Sequence, residues 1–142
     1  MTTTRTAIDR HSLLSLLWLF VLLNFLYCDV LGLHDAGVVK SVLSGRVGDL
    51  EITPGFLFAS GLLMEIPIAM VLLSRVLPRR GLRWLSIGAA GFMIVVQVAS
   101  LFVGTTTGYY AFFSAIEMGG LAAVIIVAGR WRSDAALASR EM

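Results

Sequence analysis

The fold is decided by residues 53–78, TPGFLFASGLLMEIPIAMVLLSRVLP, an apolar run with its own start and stop signals. Thr53 is a typical N-cap residue, Pro54 suits the first helical position, and Pro78 ends the run. A helix needs about 20 predominantly apolar residues to cross a hydrocarbon core about 30 Å thick, and this run is long enough. We therefore predict a membrane-spanning helix over 54–77.

Three further apolar runs, at about 13–33, 82–103 and 109–128, have the length of membrane spans. The chain of 142 residues is 58% hydrophobic and only 14% charged, which is too apolar for an ordinary soluble domain. The four spans take up most of its length. We therefore predict an all-α fold, a four-transmembrane-helix bundle in which residues 1–142 form a single membrane domain.

The basic residues predict the orientation of the bundle. Nine of the 11 Lys and Arg residues lie before the first span, between the second and third, or after the fourth. By the positive-inside rule, both termini are then cytoplasmic, and we expect a multi-pass protein of the bacterial inner (plasma) membrane. The net charge of +2 comes from basic residues at the ends of the spans, where they act as topology signals and lipid-headgroup contacts. The lipid bilayer, and not nucleic acid, is therefore the expected partner.

The loop between the first and second spans, residues 33–53, lies outside in this topology. Its centre, VVKSVL at residues 38–43, spaces apolar residues as a short amphipathic helix would. We predict a short interfacial helix there.

Polar side chains inside the spans are the candidate functional residues. A charged side chain near the bilayer centre costs about 3 kcal/mol, so such residues normally face the interior of a bundle. Their depths, at about 1.5 Å per residue, all fall in the outer half of the membrane. We predict that they share one pocket centred on Asn24, Glu65 and Gln97. The ligand- or proton-binding residues are then Asn24, Tyr27, Asp29, Glu65, Gln97 and Glu117.

The acids have more than one interpretation. Glu65 and Glu117 are either structural, hydrogen-bonded as neutral acids to Asn24, Gln97 or Tyr27, or they bind a proton or cation. Catalysis and lipid-headgroup contact are further alternatives. Asp29 is shallow enough to be an interfacial residue.

Other functional classes lack a sequence signal. The single cysteine, Cys28, excludes an intramolecular disulfide and a CxxC redox pair, and it fits a small core residue better than a metal ligand. His11 and His34 sit at opposite ends of the first span and cannot share a metal. No phosphate loop, nucleophile elbow or dinucleotide fingerprint is present, so the sequence predicts no catalytic residue, no metal and no cofactor.

Two rows of small residues predict close helix contacts. In one row, Gly61 and Ala69 flank Glu65 on the same face of the second span. The other row runs along the fourth span, opposite Glu117: Ala111, Ala115, Gly119 and Ala123. Small residues let helix backbones approach in a bilayer, so we expect a homo-oligomer formed through these faces.

Several segments together resemble a known family: LLNFLYCDVL at residues 22–31, ITPGF at 52–56, and MEIPIAM at 64–70 followed by LSR at 73–75. The chain resembles a bacterial family of small four-helix membrane proteins that is catalogued as a domain of unknown function, from about Leu14 to Trp131. The resemblance implies a four-helix membrane bundle and no established activity. A looser similarity to DoxX-like proteins concerns the fold alone.

The sequence therefore favours a small inner-membrane protein whose buried acids bind or transport a proton, a cation or a cationic small molecule. The alternative is a non-transporting accessory or scaffold subunit in which the acids are structural.

Overall fold

The computed structural model describes residues 8–103 and 106–138, and the side chains up to residue 130. It contains four long helices, α1 (Arg10–Gly32), α3 (Pro54–Val76), α4 (Arg79–Ser100) and α5 (Gly108–Ala138). Each has a segment long and apolar enough to cross a membrane. The prediction of an all-α bundle with four membrane-length helices is confirmed.

The segment between α1 and α3 carries a short helix, α2 (Ala36–Leu43), and an antiparallel hairpin, β1 (Arg46–Val47) and β2 (Leu50–Glu51). The short helix confirms the prediction for this loop, and Asp35 caps it by accepting hydrogen bonds from the Gly37 and Val38 backbone N–H groups. The hairpin was not predicted. Gly48, at the first turn position, has a φ of 56°, which glycine adopts without steric cost.

Helix ends differ modestly from the predicted bounds. Thr53 caps α3 as expected, since its Oγ1 accepts the Phe56 N–H at 3.1 Å. α4 begins at Arg79, earlier than expected, because Pro78 at its N-cap supplies the carbonyl that accepts the Leu82 N–H. α5 continues to Ala138, well beyond its apolar segment, which ends at Arg130.

The helices pack with α1 between α3 and α5, and with α5 between α1 and α4, whereas α3 touches α4 much less. The apolar core includes Trp18 and Val21 of α1, Met70 of α3, Leu82 of α4 and Leu121 of α5. α1 and α5 approach closely at Gly120, where an added Cβ would lie 2.7 Å from Val21 Cγ2.

We call the end of the bundle with α2 and the β-hairpin the hairpin end, and the opposite end the terminal end. At the terminal end polar side chains join α1 to α3: Arg75 donates to Ser12 Oγ at 3.0 Å, and Ser15 Oγ donates to Val71 O at 3.0 Å. Since α1 and α4 run toward the hairpin end and α3 and α5 away from it, their residue numbers fix the depth of each side chain. The orientation of the two ends across a membrane stays a prediction.

Candidate functional site

A cavity of about 130 Å³ lies between the four long helices. Its apolar wall comes from α1, α3 and α4: Phe25, Leu63, Met64, Met93 and Val96. Its polar lining comes from α1, α4 and α5: Cys28, Asp29, Gln97, Ser100, Tyr110 and Glu117. The α1 and α4 members lie late in their helices and the α5 members early, which places the cavity in the hairpin-end half.

Glu117 is the most enclosed ionisable group in this cavity. Its side chain is 1% exposed, and its Oε1 has no hydrogen-bond partner among the described residues. α5 buries the residues of one helical face, namely Ser114, Glu117, Leu121, Val124 and Ala128. A buried polar atom without a partner is costly, and native structures contain few. Glu117 therefore combines a place in the cavity wall with a buried oxygen that has no partner among the described residues.

Asp29 contributes a second carboxyl group nearer the hairpin end. It lies three residues before the end of α1 at Gly32 and is exposed, whereas Glu117 lies nine residues into α5 from Gly108. At 1.5 Å per residue, these positions are about 5 Å and about 13 Å from the helix ends. Asp29 therefore lies at the rim of the cavity and Glu117 in its depth. The cavity lining includes no Lys, Arg or His within the described part of the chain.

Hydrogen bonds fix the other polar side chains between α4 and α5. Gln97 Nε2 donates to Ser114 Oγ at 2.7 Å, and Tyr110 OH donates to Ser100 Oγ at 2.6 Å. Ser100 Oγ in turn donates to the Gln97 backbone carbonyl at 2.7 Å. Among the described residues, these three hydrogen bonds do not include the Glu117 carboxyl.

The structure brings three of the six predicted site residues together, Asp29, Gln97 and Glu117. It places Asn24 and Tyr27 in a separate groove on the surface between α1 and α5, beside Phe113. The Asn24 amide donates to the Phe20 carbonyl of its own helix at 2.8 Å, and the Tyr27 ring lies 5.8 Å from the Phe113 ring.

Glu65 lies on the outer surface of α3. α3 packs through Pro67, Met70 and Ser74, and at 100° per residue a side chain two positions before Pro67 points away from that face. The expectation of one pocket centred on Asn24, Glu65 and Gln97 is therefore wrong for Asn24 and Glu65. The assignment of all six residues to ligand or proton binding stays a prediction.

The sequence reasoning overlooked Ser100, Ser114 and Tyr110 as members of this polar cluster. A usable signal was present in α5, where Tyr110, Ser114 and Glu117 recur at i, i+4 and i+7 and therefore share one helical face. Cys28, predicted to be a core residue, is buried, and it also lines the cavity.

Metal binding has no support in the geometry. Within residues 8–103 and 106–138, no group of three or more His, Cys, Asp or Glu residues is arranged to hold a metal ion.

Comparison with known proteins gives a family without an assigned activity. Residues 2–139 match the family described as "Family of unknown function (DUF6326)". No curated protein and no solved structure matches the chain. Because the match spans all five helices and both carboxyls of the cavity, the chain belongs to the family of unknown function DUF6326.

Proposed function

We propose that this protein binds a small organic cation in the hairpin-end cavity, with Glu117 as the charged ligand-binding group. The observation that carries the proposal is the Glu117 side chain, which lines the cavity and whose buried Oε1 has no partner in the described chain. A charge-assisted hydrogen bond to such a carboxylate is stronger than a neutral one.

The lining of the cavity favours an organic ammonium ion over a bare metal cation. Oxygen atoms on the polar side of the lining suit either kind of cation, so the preference rests on the apolar side of the cavity, which offers Na⁺ or K⁺ no ligand. The apolar side chains there suit a hydrocarbon substituent. An ammonium group would meet Glu117, and its hydrocarbon portion would contact Phe25, Met64 or Met93.

Electrostatics supports the same class of ligand. Two carboxyls, Asp29 and Glu117, line the cavity, and no cationic side chain lines it within the described residues. Asp29, which is exposed at the rim, would attract a cation toward the deeper Glu117. A proton is the smallest ligand of this class, and it would compete with an ammonium ion for the same Glu117 oxygen.

Binding is better supported than transport. Toward the terminal end, the core beyond Glu117 is filled by buried apolar side chains, including Val21, Leu121 and Val124. A ligand would therefore need a second conformation to continue across the membrane. From the distribution of Lys and Arg, we further propose that both termini are cytoplasmic in a bacterial inner membrane, so that the cavity lies in the outer leaflet.

The experiment is calorimetric titration of purified protein in lipid nanodiscs with n-hexylammonium. We expect binding to the wild type and to Glu51→Gln, a matched substitution of an exposed carboxyl in β2. Glu117→Gln keeps the shape but loses the charge, so we expect its affinity to fall at least tenfold, about 1.4 kcal/mol. Titration in buffers of different ionisation enthalpy reports the protons released on binding.

Uncharged hexanol is the ligand control, and its affinity should be equal for wild type and Glu117→Gln. Equal affinity of the two proteins for n-hexylammonium would remove Glu117 from the site. Absence of binding to the wild type across a panel of alkylammonium ions would favour the alternative function, an accessory or scaffold subunit in which the acids are structural.

A further inference from the structure

The outward face of α3 packs against no other described part of the chain. Phe58 is 70% exposed, Leu62 is 55% exposed and Leu72 is 67% exposed. These residues recur at helical spacing and place one uncovered face along the length of α3. We call it the α3 face, and it consists of Phe58, Gly61, Leu62, Glu65, Ile68 and Leu72.

Glu65 lies at the centre of this face, and its carboxyl makes no hydrogen bond within the described chain. It is the middle residue of the 23-residue helix Pro54–Val76. At 1.5 Å per residue, about 16 Å of helix separates it from either end, which is farther than a Glu side chain reaches. Because lipid tails offer neither donors nor acceptors, the Glu65 carboxyl requires a partner from another molecule.

We propose that the α3 face is the interface between two copies of this chain, related by a two-fold axis, with the two Glu65 carboxyls hydrogen-bonded to each other. A two-fold axis places each residue near the axis opposite its own copy. A protonated carboxyl donates one hydrogen bond and accepts another, so a pair of Glu65 side chains satisfies both copies. Because the two copies are related by symmetry, the Glu65 carboxyl of the second copy lies at the same depth in the membrane as that of the first.

Gly61 allows the close approach that this pair requires. It lies one turn before Glu65 on the same face, and a Cβ added there would meet no atom within 4 Å. The space beside Glu65 is therefore open, and a second helix can pack against the backbone at this point.

The small-residue row of α5 is the competing surface and serves as the control. Ala111, Ala115 and Gly119 of this row are also exposed. The row contains no polar side chain that needs a partner, so packing there would leave Glu65 uncovered. This difference favours the α3 face over the α5 row.

Cysteine cross-linking in native membranes distinguishes the two surfaces. In a Cys28→Ser background, we expect Ile68→Cys to form a disulfide-linked dimer of this chain on mild oxidation, and Ala115→Cys to remain monomeric. Cross-linking of Ala115→Cys but not Ile68→Cys would overturn the proposal. So would cross-linking at neither position, or a product whose mass shows a different polypeptide attached to position 68.

Two substitutions at Glu65 then test the hydrogen bond. Glu65→Gln retains a donor and an acceptor, so we expect dimerisation in lipid vesicles, measured by energy transfer between labelled copies, to stay within about twofold of wild type. Glu65→Leu removes both groups, and we expect association to weaken by about three- to twenty-fold.

Because Glu65 is exposed in the monomer, both variants should retain wild-type helix content, which confirms that they fold. Association of Glu65→Leu equal to or stronger than that of wild type would overturn the proposed carboxyl pair. The measurement is independent of the cavity, since Glu65 does not line it.

Discussion

Glu65 and Glu117 both lie within membrane-length helices that run away from the hairpin end, and they meet different surroundings. Glu117 is 1% exposed and faces a cavity enclosed by four helices, whereas Glu65 is exposed on a helix that contacts mainly α1. Similar depth therefore does not imply a similar environment. The direction in which each helix packs decides which carboxyl its own chain encloses.

The difference separates two ways of accommodating an acid in a bilayer. The chain itself shields Glu117 from lipid, although it leaves Oε1 without a partner. This unpartnered oxygen is the basis of the cation site that we propose. Glu65 is not shielded by its own chain, so compensation must come from outside. We therefore propose a binding site at Glu117 and an interface at Glu65.

The largest expected effect is all-or-none labelling of introduced cysteines. It shows which side of the membrane the hairpin end, and with it each carboxyl, lies nearer. Cysteines placed at Ser44, which is exposed at the hairpin end, and at Ser139, which lies outside the described residues, should label from opposite sides of intact cells. In a Cys28→Ser background, an impermeant maleimide should modify position 44 from outside and position 139 only after the cells are opened. Labelling of both positions from outside would refute the predicted orientation.

The next largest effect concerns stability in detergent. Glu117→Leu removes an unpartnered buried oxygen and keeps a similar side-chain size, so we expect the free energy of unfolding to rise by about 1–3 kcal/mol. Glu65→Leu alters an exposed side chain, so monomer stability should stay within about 0.5 kcal/mol of wild type. Thermal and denaturant unfolding of both variants measures this contrast. A loss of stability in Glu117→Leu would identify Glu117 as a structural acid.

A smaller effect is expected for the hydrogen-bonded wall of the cavity. Ser114→Ala leaves the Gln97 amide without its partner on α5, and we expect a loss of about 0.6–1.7 kcal/mol. Ser60→Ala is the control, because within the described residues Ser60 Oγ bonds only to the Phe56 carbonyl of its own helix. Equal unfolding free energies for the two variants would show that the Gln97–Ser114 hydrogen bond does not stabilise the packing of α4 against α5.

The smallest effect is expected at the rim. Tyr110→Phe removes the hydroxyl that donates to Ser100 Oγ, and we expect a loss of about 0.5–1 kcal/mol. The hydroxyl of the adjacent Tyr109 makes no hydrogen bond within the described chain, so Tyr109→Phe should leave the unfolding free energy unchanged. A larger loss in Tyr109→Phe than in Tyr110→Phe would contradict this arrangement.

The helices were predictable because hydropathy and capping act locally. Thr53 and Pro54 fix the start of α3, and the spacing of Val38, Val39 and Val42 indicates α2. The β-hairpin was harder, since its strands have two residues each and its signal is a single Gly48-Asp49 turn. Local patterns therefore identify long elements better than short ones.

The site was only partly predictable because a membrane protein is apolar both inside and outside. In α3 the exposed residues, such as Leu62 and Leu72, are as apolar as the residues that pack against the rest of the bundle. Hydrophobic periodicity therefore cannot tell which way Glu65 points. In α5 the polar series from Tyr110 to Glu117 marks one face, so Glu117 was assignable to the interior. Facing is set by packing between helices, which requires the structure.

Site-resolved carbodiimide labelling tests the contrast between Glu65 and Glu117 most directly. A hydrophobic carbodiimide modifies protonated carboxyls inside the membrane, and mass spectrometry measures each adduct separately. We predict that n-hexylammonium lowers modification of Glu117 in a concentration-dependent manner and leaves modification of Glu65 unchanged. Hexanol should not lower the modification of Glu117. Unchanged modification of Glu117 at every concentration, or equal protection of both residues, would contradict the assignment of the cavity as the cation site.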